Sequence, residues 1–179
     1  MALILTKALG MGTLSTAMKK RAIEAELGDL AADQMATLNK AASEAMLEVG
    51  VHAATDITGF GLVGHARNIA RSSGVQLRFE AAALPIFERA EALAAKGLLS
   101  GGACRGQEQL GRSVHVASSV DPIRASLAYD AETSGGLLIA VASERADALV
   151  SALEARGVAV RAVVGEVAPA EGEIDVVLS

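Results

Sequence analysis

Apolar positions along this chain recur with two spacings, alternating in short segments and at helical intervals in longer ones. Together they predict an interleaved series of strands and helices. Val75, Leu77 and Phe79 alternate with Gln76, Arg78 and Glu80, the period of a half-buried strand. Leu3-Ile4-Leu5-Thr6 reads as an opening strand, residues 51–55 and 113–117 as short ones, and residues 136–141 as a buried one. Residues 158–167 and 174–178 finish the chain as strands around a Pro/Gly/Glu turn. Helical spacing links Leu30, Ala31, Met35, Leu38, Ala42, Ala45, Met46 and Val49 into one long predicted helix, capped by Asp29 and stopped by Gly50. Gly10, Met11 and Gly12 interrupt the pattern before a short helix at 13–21. Thr58 or Gly59 opens a helix carrying Leu62, Val63, Ala66, Ile69 and Ala70 as far as Gly74. Pro85 is placed to start another, with Ile86, Phe87, Ala90, Leu93 and Ala94 inward and Gly97 closing it. The glycine-rich stretch 100–113 reads as a surface loop, and Asp121-Pro122 as the start of a brief helical turn. Ser143 caps a helix bearing Ala146, Leu149, Val150 and Leu153 that ends at Gly157. No repeat of solenoid period is present. The expected class is α/β, or α+β, with a mixed β-sheet sandwiched by helices.

With 179 residues the chain has room for one good core, so residues 1–179 are expected to form a single domain. That core must be aliphatic, because Trp is absent and only three Phe and one Tyr are present. The scarcity of rings argues against a base-stacking surface, and a net charge of −5 with dispersed basic residues argues against a phosphate-backbone partner. Nucleic acid is not an expected partner. The single Cys104 allows no internal disulfide framework and fits a reducing compartment. No apolar run approaches the roughly 20 residues of a membrane span, and the N-terminus lacks the basic, hydrophobic and cleavage regions of a secretion signal. The expectation is a cytoplasmic protein with no membrane partner. A strand beginning at residue 2 suits a chain cut at a domain boundary, although many intact proteins start this way.

Two stretches carry candidate chemistry. In Thr55-Asp56-Ile57-Thr58-Gly59-Phe60-Gly61 an acid closes a strand and a glycine-containing turn leads into a helix, the setting in which α/β sheets bind ligands. The helix's free amides attract anions, and a carboxylate such as Asp56 attracts Mg²⁺, so together they suggest a metal–phosphate site. The plainer reading is that Asp56 and Thr58 cap the helix while the glycines allow a tight turn. In Glu132-Thr133-Ser134-Gly135-Gly136-Leu137-Leu138, hydroxyls beside two glycines can present donors to a phosphate, or can form an ordinary turn before a buried strand. Asn39 falls inside the predicted long helix, where Asn has poor propensity; it either faces solvent or holds a neighbouring loop. His52, His65 and His115 lack zinc-ligand spacing with one another or with Cys104. Cys104 reads as a bystander thiol, and Arg105 as a solvated arginine within reach of an anion.

Taken in order, Ile4-Leu5-Thr6-Lys7 with Leu9-Gly10, Ala36-Thr37-Leu38-Asn39-Lys40-Ala41-Ala42, residues 55–65, Leu99-Ser100-Gly101-Gly102 with Arg105, and residues 130–140 resemble the C-terminal half of selenophosphate synthetases. Those enzymes belong to a superfamily with aminoimidazole ribonucleotide synthetase, thiamine-phosphate kinase and a hydrogenase maturation protein. The resemblance implies the C-terminal α/β domain of that superfamily, normally joined to an N-terminal ATP-binding domain and assembled as a homodimer. It also implies a reaction converting ATP, selenide and water to selenophosphate, AMP and phosphate. In it Asp56 alone takes a role, as a ligand of the Mg²⁺ on the ATP phosphates; Thr58, Gly59, Gly61, Thr133 and Ser134, from the two stretches above, are the expected cofactor-binding positions. No catalytic residue is expected on this chain. The family's glycine-rich segment with its Cys or selenocysteine, its essential lysine and its further aspartates have no counterpart here, so the chain alone is expected to be inactive. Ala8 stands where the family often has Pro. Two alternatives stay open: a non-catalytic assembly module, or a domain of another ATP-dependent member of the superfamily.

Overall fold

The computed structural model describes all 179 residues. In chain order the elements are β1 (Ala2–Leu5), α1 (Met11–Lys19), α2 (Ala25–Ala36), α3 (Lys40–Val49), β2 (Ala53–Asp56), α4 (Gly61–Ser73), β3 (Val75–Phe79), α5 (Ala90–Ala95), α6 (Gly101–Leu110), β4 (Val114–Val116), α7 (Pro122–Ala128), β5 (Leu137–Val141), α8 (Ala146–Ala155), β6 (Ala162–Pro169) and β7 (Val176–Leu178). The strands form one seven-stranded sheet in the order β2-β5-β1-β6-β3-β7-β4. β7 runs parallel to both β3 and β4, and every other pairing is antiparallel, so the sheet is mixed as expected. No helix is long and apolar enough to cross a membrane.

The side-chain alternation of the strands decides what covers each face. Leu3, Leu5, Leu138, Ala140, Leu77 and Phe79 point to one side and bury against Leu62, Val63, Ala66 and Ala70 of α4. Ile4, Leu137, Ile139 and Val141 point to the other, against Ala42 and Ala45 of α3 and Leu149 and Leu153 of α8. β5 is therefore buried on both faces, which is why its sequence is an unbroken apolar run. A third cluster lies away from the strands, where Met11, Leu14, Leu27, Ala31, Leu93 and Leu127 join α1, α2, α5 and α7. Burying each such Leu contributes about 1.5–3 kcal/mol, so largely aliphatic side chains suffice for three clusters, with Phe79 and Tyr129 the aromatic members of the first.

Three expectations are corrected. The long helix is two helices, with the chain extended at Thr37 (φ −63°, ψ 123°), and Asp29 lies inside α2 instead of capping it. The break frees the Thr37 carbonyl to accept from Lys7 Nζ at 2.6 Å, and Asn39 Nδ2 donates to the Gly135 carbonyl at 2.9 Å. Asn39 thus holds a distant loop, whereas Leu38, assigned to the apolar stripe by its spacing, is 78 % exposed. Pro85 does not start a helix: Leu9 N donates to its carbonyl at 2.8 Å and Phe87 N donates to Leu9 O at 2.9 Å, so residues 85–87 pair with Leu9 and α5 begins only at Ala90. Residues 101–110 are a helix, not a loop. Ser100 caps it, and its glycines permit close packing: a Cβ at Gly102 would stand 3.0 Å from Ala131 Cβ, and one at Gly106 3.4 Å from the Tyr129 ring. A smaller departure is at Ser143, which begins a 3₁₀ turn at Ser143–Arg145 and makes no side-chain cap to α8.

Ser100 Oγ accepts from Ala103 N at 3.2 Å and from Ala131 N at 3.4 Å, joining α6 to the loop before β5. Ser100→Ala is expected to lower stability by about 1 kcal/mol, read as a reduced urea midpoint at unchanged m-value. An unchanged midpoint would show that the cap contributes nothing.

Candidate functional site

β1 and β2 both run antiparallel to β5, which lies between them. Their carboxyl ends therefore emerge at the same end of the sheet as the loop entering β5. Three segments meet there: Thr6-Lys7, Asp56-Ile57-Thr58, and residues 130–136. Backbone bonds tie the second to the third, with Ile57 N donating to Gly136 O at 2.9 Å and Glu132 N to Thr58 O at 3.0 Å.

Two carboxylates are buried in this loop. Asp130 Oδ2 accepts from both Thr13 N and Thr13 Oγ1 at 2.7 Å, and Oδ1 accepts from Ser100 N at 3.3 Å. Glu132 Oε1 accepts from Gly10 N at 2.7 Å and Oε2 from Met11 N at 3.1 Å. All these amides except that of Ser100 belong to the start of α1, which has no acidic residue in its own first turn and begins from a left-handed Gly10 (φ 113°). The loop thus supplies from across the chain the acceptors a helix N-terminus lacks. Desolvation raises the Glu132 pKa, the amide of Gly10 opposes this, the charge of Asp130 adds to it, and the amide of Met11 opposes it; the net value is about 8.

The turn after β2 is equally constrained. His65 Nε2 accepts from the Thr58 amide at 3.1 Å and lies 3.0 Å from Thr58 Oγ1, so this nitrogen carries no proton. Burial lowers the His65 pKa, against a smaller opposing effect of Asp56. Gly61 adopts φ +67°, and a Cβ there would stand 2.7 Å from the carbonyl oxygens of Tyr129 and Asp130, so only glycine lets α4 begin against that backbone.

The sequence-derived candidates are gathered at this end of the sheet in two environments. Asp56 is exposed and lines a shallow concavity with Asn39, Ser43, Met46 and Leu137. Thr133 and Ser134 are exposed in the loop entering β5, and Ser134, left-handed at φ 53°, turns its carbonyl to Lys7 Nζ at 2.7 Å. Thr58 is engaged with His65. Gly59 instead borders a separate 330 Å³ cleft between α4 and α6, with Phe60, Arg67 and Arg105. Gly61 is buried against the loop. No three His, Cys, Asp or Glu side chains come together as a metal-ligand group, and Cys104 is exposed on α6. The sequence reading missed Lys7 and the pair Asp130 and Glu132. The available signal was two acids one residue apart entering an otherwise apolar strand, and a lysine directly following one.

Residues 1–177 match the family described as AIR synthase related protein, C-terminal domain. The chain belongs to this family. Among named relatives it is 48 % identical over 147 residues to a protein called selenide, water dikinase from Caldanaerobacter subterraneus subsp. tengcongensis, covering 82 % of this chain and 42 % of that one. It is 43 % identical over 165 residues to the protein of the same name from Pelobacter propionicus, covering 92 % and 47 %. The chain spans about half the length of these relatives. Solved structures share the fold: HypE of E. coli (TM-score 0.64, 20 % identity, 99 % of this chain and 45 % of that one) and thiamine monophosphate kinase of Aquifex aeolicus (0.58, 19 %, 99 % and 49 %).

The raised Glu132 value has a consequence for stability. In the unfolded chain its carboxyl titrates near the ordinary 4.5, and in the folded chain near 8, so between those values the native state holds more protons. This group's contribution is complete below about pH 4.5, falls as pH rises towards 8, and is level above that. Thermal unfolding followed by circular dichroism should show a midpoint that declines across this window relative to Glu132→Gln, which lacks the titration. A difference that grows in the opposite direction would contradict the raised value.

Proposed function

We propose that this chain is the C-terminal domain of a selenide, water dikinase, working with an N-terminal ATP-binding half to make selenophosphate from selenide, ATP and water, with AMP and phosphate as the other products. The observation that carries this reading is the 48 % identity to a protein of that name across most of the chain. In this reading residues 1–179 fold as one domain, and the joined enzyme is a cytoplasmic homodimer. Asp56 is a Mg²⁺ ligand, with Thr133 and Ser134 facing the phosphates from the neighbouring loop. Thr58, Gly59 and Gly61 shape the turn that follows Asp56, Thr58 by orienting His65 and Gly61 by letting α4 start beside Asp130.

The donor set fits one corner of a magnesium site. Asp56 is an exposed carboxylate in none of the chain's ion pairs. Mg²⁺ generally needs near-octahedral oxygen ligation, so the remaining ligands belong to the other half and to the nucleotide. Bound there, the ion would offset negative charge on the phosphates. This chain's own contribution is to fix Asp56 at the strand end and to present the hydroxyl-bearing loop that leads into the adjacent strand β5.

A second reading, a non-catalytic assembly module, draws on large apolar side chains left exposed: Leu38 at 78 %, Leu47 at 74 % and Phe60 at 68 %. Surface of this kind suits burial against a partner domain. The readings separate in a reconstituted two-domain enzyme. Asp56→Ala is expected to cut turnover by about 100-fold while leaving assembly intact, because a phosphate-bound metal loses an anionic ligand. Unchanged turnover would favour the assembly module. The isolated chain is expected to show no micromolar Mg-ATP binding by calorimetry, and such binding, if lost in Asp56→Ala, would overturn the shared-site reading.

A further inference from the structure

We propose that the pocket around Lys7 is a binding site for a small oxyanion of the phosphate class. Lys7 follows β1 and is only 6 % exposed. Its ammonium donates to the carbonyls of Thr37 at 2.6 Å and Ser134 at 2.7 Å. An ammonium has three donors, so one remains. None of the chain's ion pairs includes it. Burial lowers its pKa.

Two carbonyls satisfy hydrogen bonds without cancelling a full charge. Thr37 closes α2, whose carboxyl-terminal dipole is worth roughly half an elementary charge, so a substantial part of the lysine's charge is uncompensated. The surroundings do not supply the rest. Lys7 lines a 280 Å³ cavity with Gln34, Asn39, Ala41, Ala42 and Gly157, and no Asp or Glu borders it. Ala41 and Ala42 belong to the first turn of α3, a ten-residue helix with neither a side-chain cap nor an acid at that end. A buried cation and a helix's positive end therefore share one cavity that contains no anion. A tetrahedral oxyanion would take the third ammonium donor and the first amides of α3 together. Gln34 and Asn39 each donate one N–H, to the carbonyls of Ala8 and Gly135, which fixes both side chains at the cavity wall with a second N–H to spare.

The site lies at the same end of the sheet as Asp56, one strand removed on either side of β5 and so about 10 Å away. It concerns this chain's own residues and stands whether or not the partner half handles ATP.

The test is an amide-resolved NMR titration of the chain with inorganic phosphate, without Mg²⁺ or nucleotide, against chloride at equal ionic strength. Saturable shifts are expected at residues 40–42 and 134–136, weakened about tenfold or more in Lys7→Met and unchanged in Asp56→Ala. Ala41→Asp provides a second variant, because Ala41 is half-buried and an acid in the first turn of α3 favours the helix. It should fold and abolish phosphate binding by placing a carboxylate where the anion would sit. The proposal is overturned if no saturable shift occurs there, if shifts arise only in the arginine-bearing cleft between α4 and α6, or if Ala41→Asp binds phosphate as the natural chain does. None of these results bears on the Mg-ATP reading of Asp56.

Discussion

The burial of Asp130 and Glu132 at the start of α1 is the constraint on which the rest of this end of the molecule depends. Two carboxylates one residue apart cost several kcal/mol each to desolvate, and they persist only where donors meet them. Here the donors are backbone amides of Gly10, Met11 and Thr13, the hydroxyl of Thr13, and the amide of Ser100. The same loop receives Ser100 Oγ through Ala131 N and bonds Thr58 O through Glu132 N. One short segment thereby positions α1, the start of α6 and the β2–α4 turn. The acids supply the acceptors the helix terminus lacks, and its amides offset part of their desolvation, although at Glu132 burial still prevails and raises the pKa to about 8.

Where local pattern and tertiary demand coincide, the fold is legible in the sequence. β5 reads as a strand because every residue of Leu137–Val141 is buried, and α4 reads as a helix ending at Gly74 because its apolar face packs on the sheet and its C-cap is left-handed. Where they diverge, sequence periodicity misleads for a stated reason. α2 and α3 each keep the helical apolar spacing, so they read as one helix, but they bury against different clusters. Their separation is fixed by Lys7 to Thr37 and Asn39 to Gly135, contacts spanning 30 and 96 residues. The glycines of α6 are set by Ala131 and Tyr129 passing close by, which no local rule reveals.

The candidate site divides along the same line. Asp56 with its glycine turn is local chemistry and visible as such, and Thr133 and Ser134 sit in a run whose composition already marks a turn. Lys7 and the carboxylate pair are visible only once three segments converge, because a lysine after a strand or an acid before one has no local signature of burial. Gly59 shows the opposite case: it lies only three residues after Asp56, yet it opens onto a different cleft.

These placements bear on how charge is distributed over the sheet end. β2 ends in an exposed carboxylate with no cation beside it, while β1 ends in a buried ammonium with no anion beside it. The two do not neutralise each other, since β5 and the ordered loop entering it stand between them. An unbalanced acid suits a cation shared with another body, and an unbalanced ammonium suits an anion held by this one. In the proposed enzyme a magnesium-bearing polyphosphate and a free oxyanion product are both present, and the sheet end offers one group suited to each. The buried acids that pin that loop to α1 fix its position between the two charges, which β5 itself holds apart.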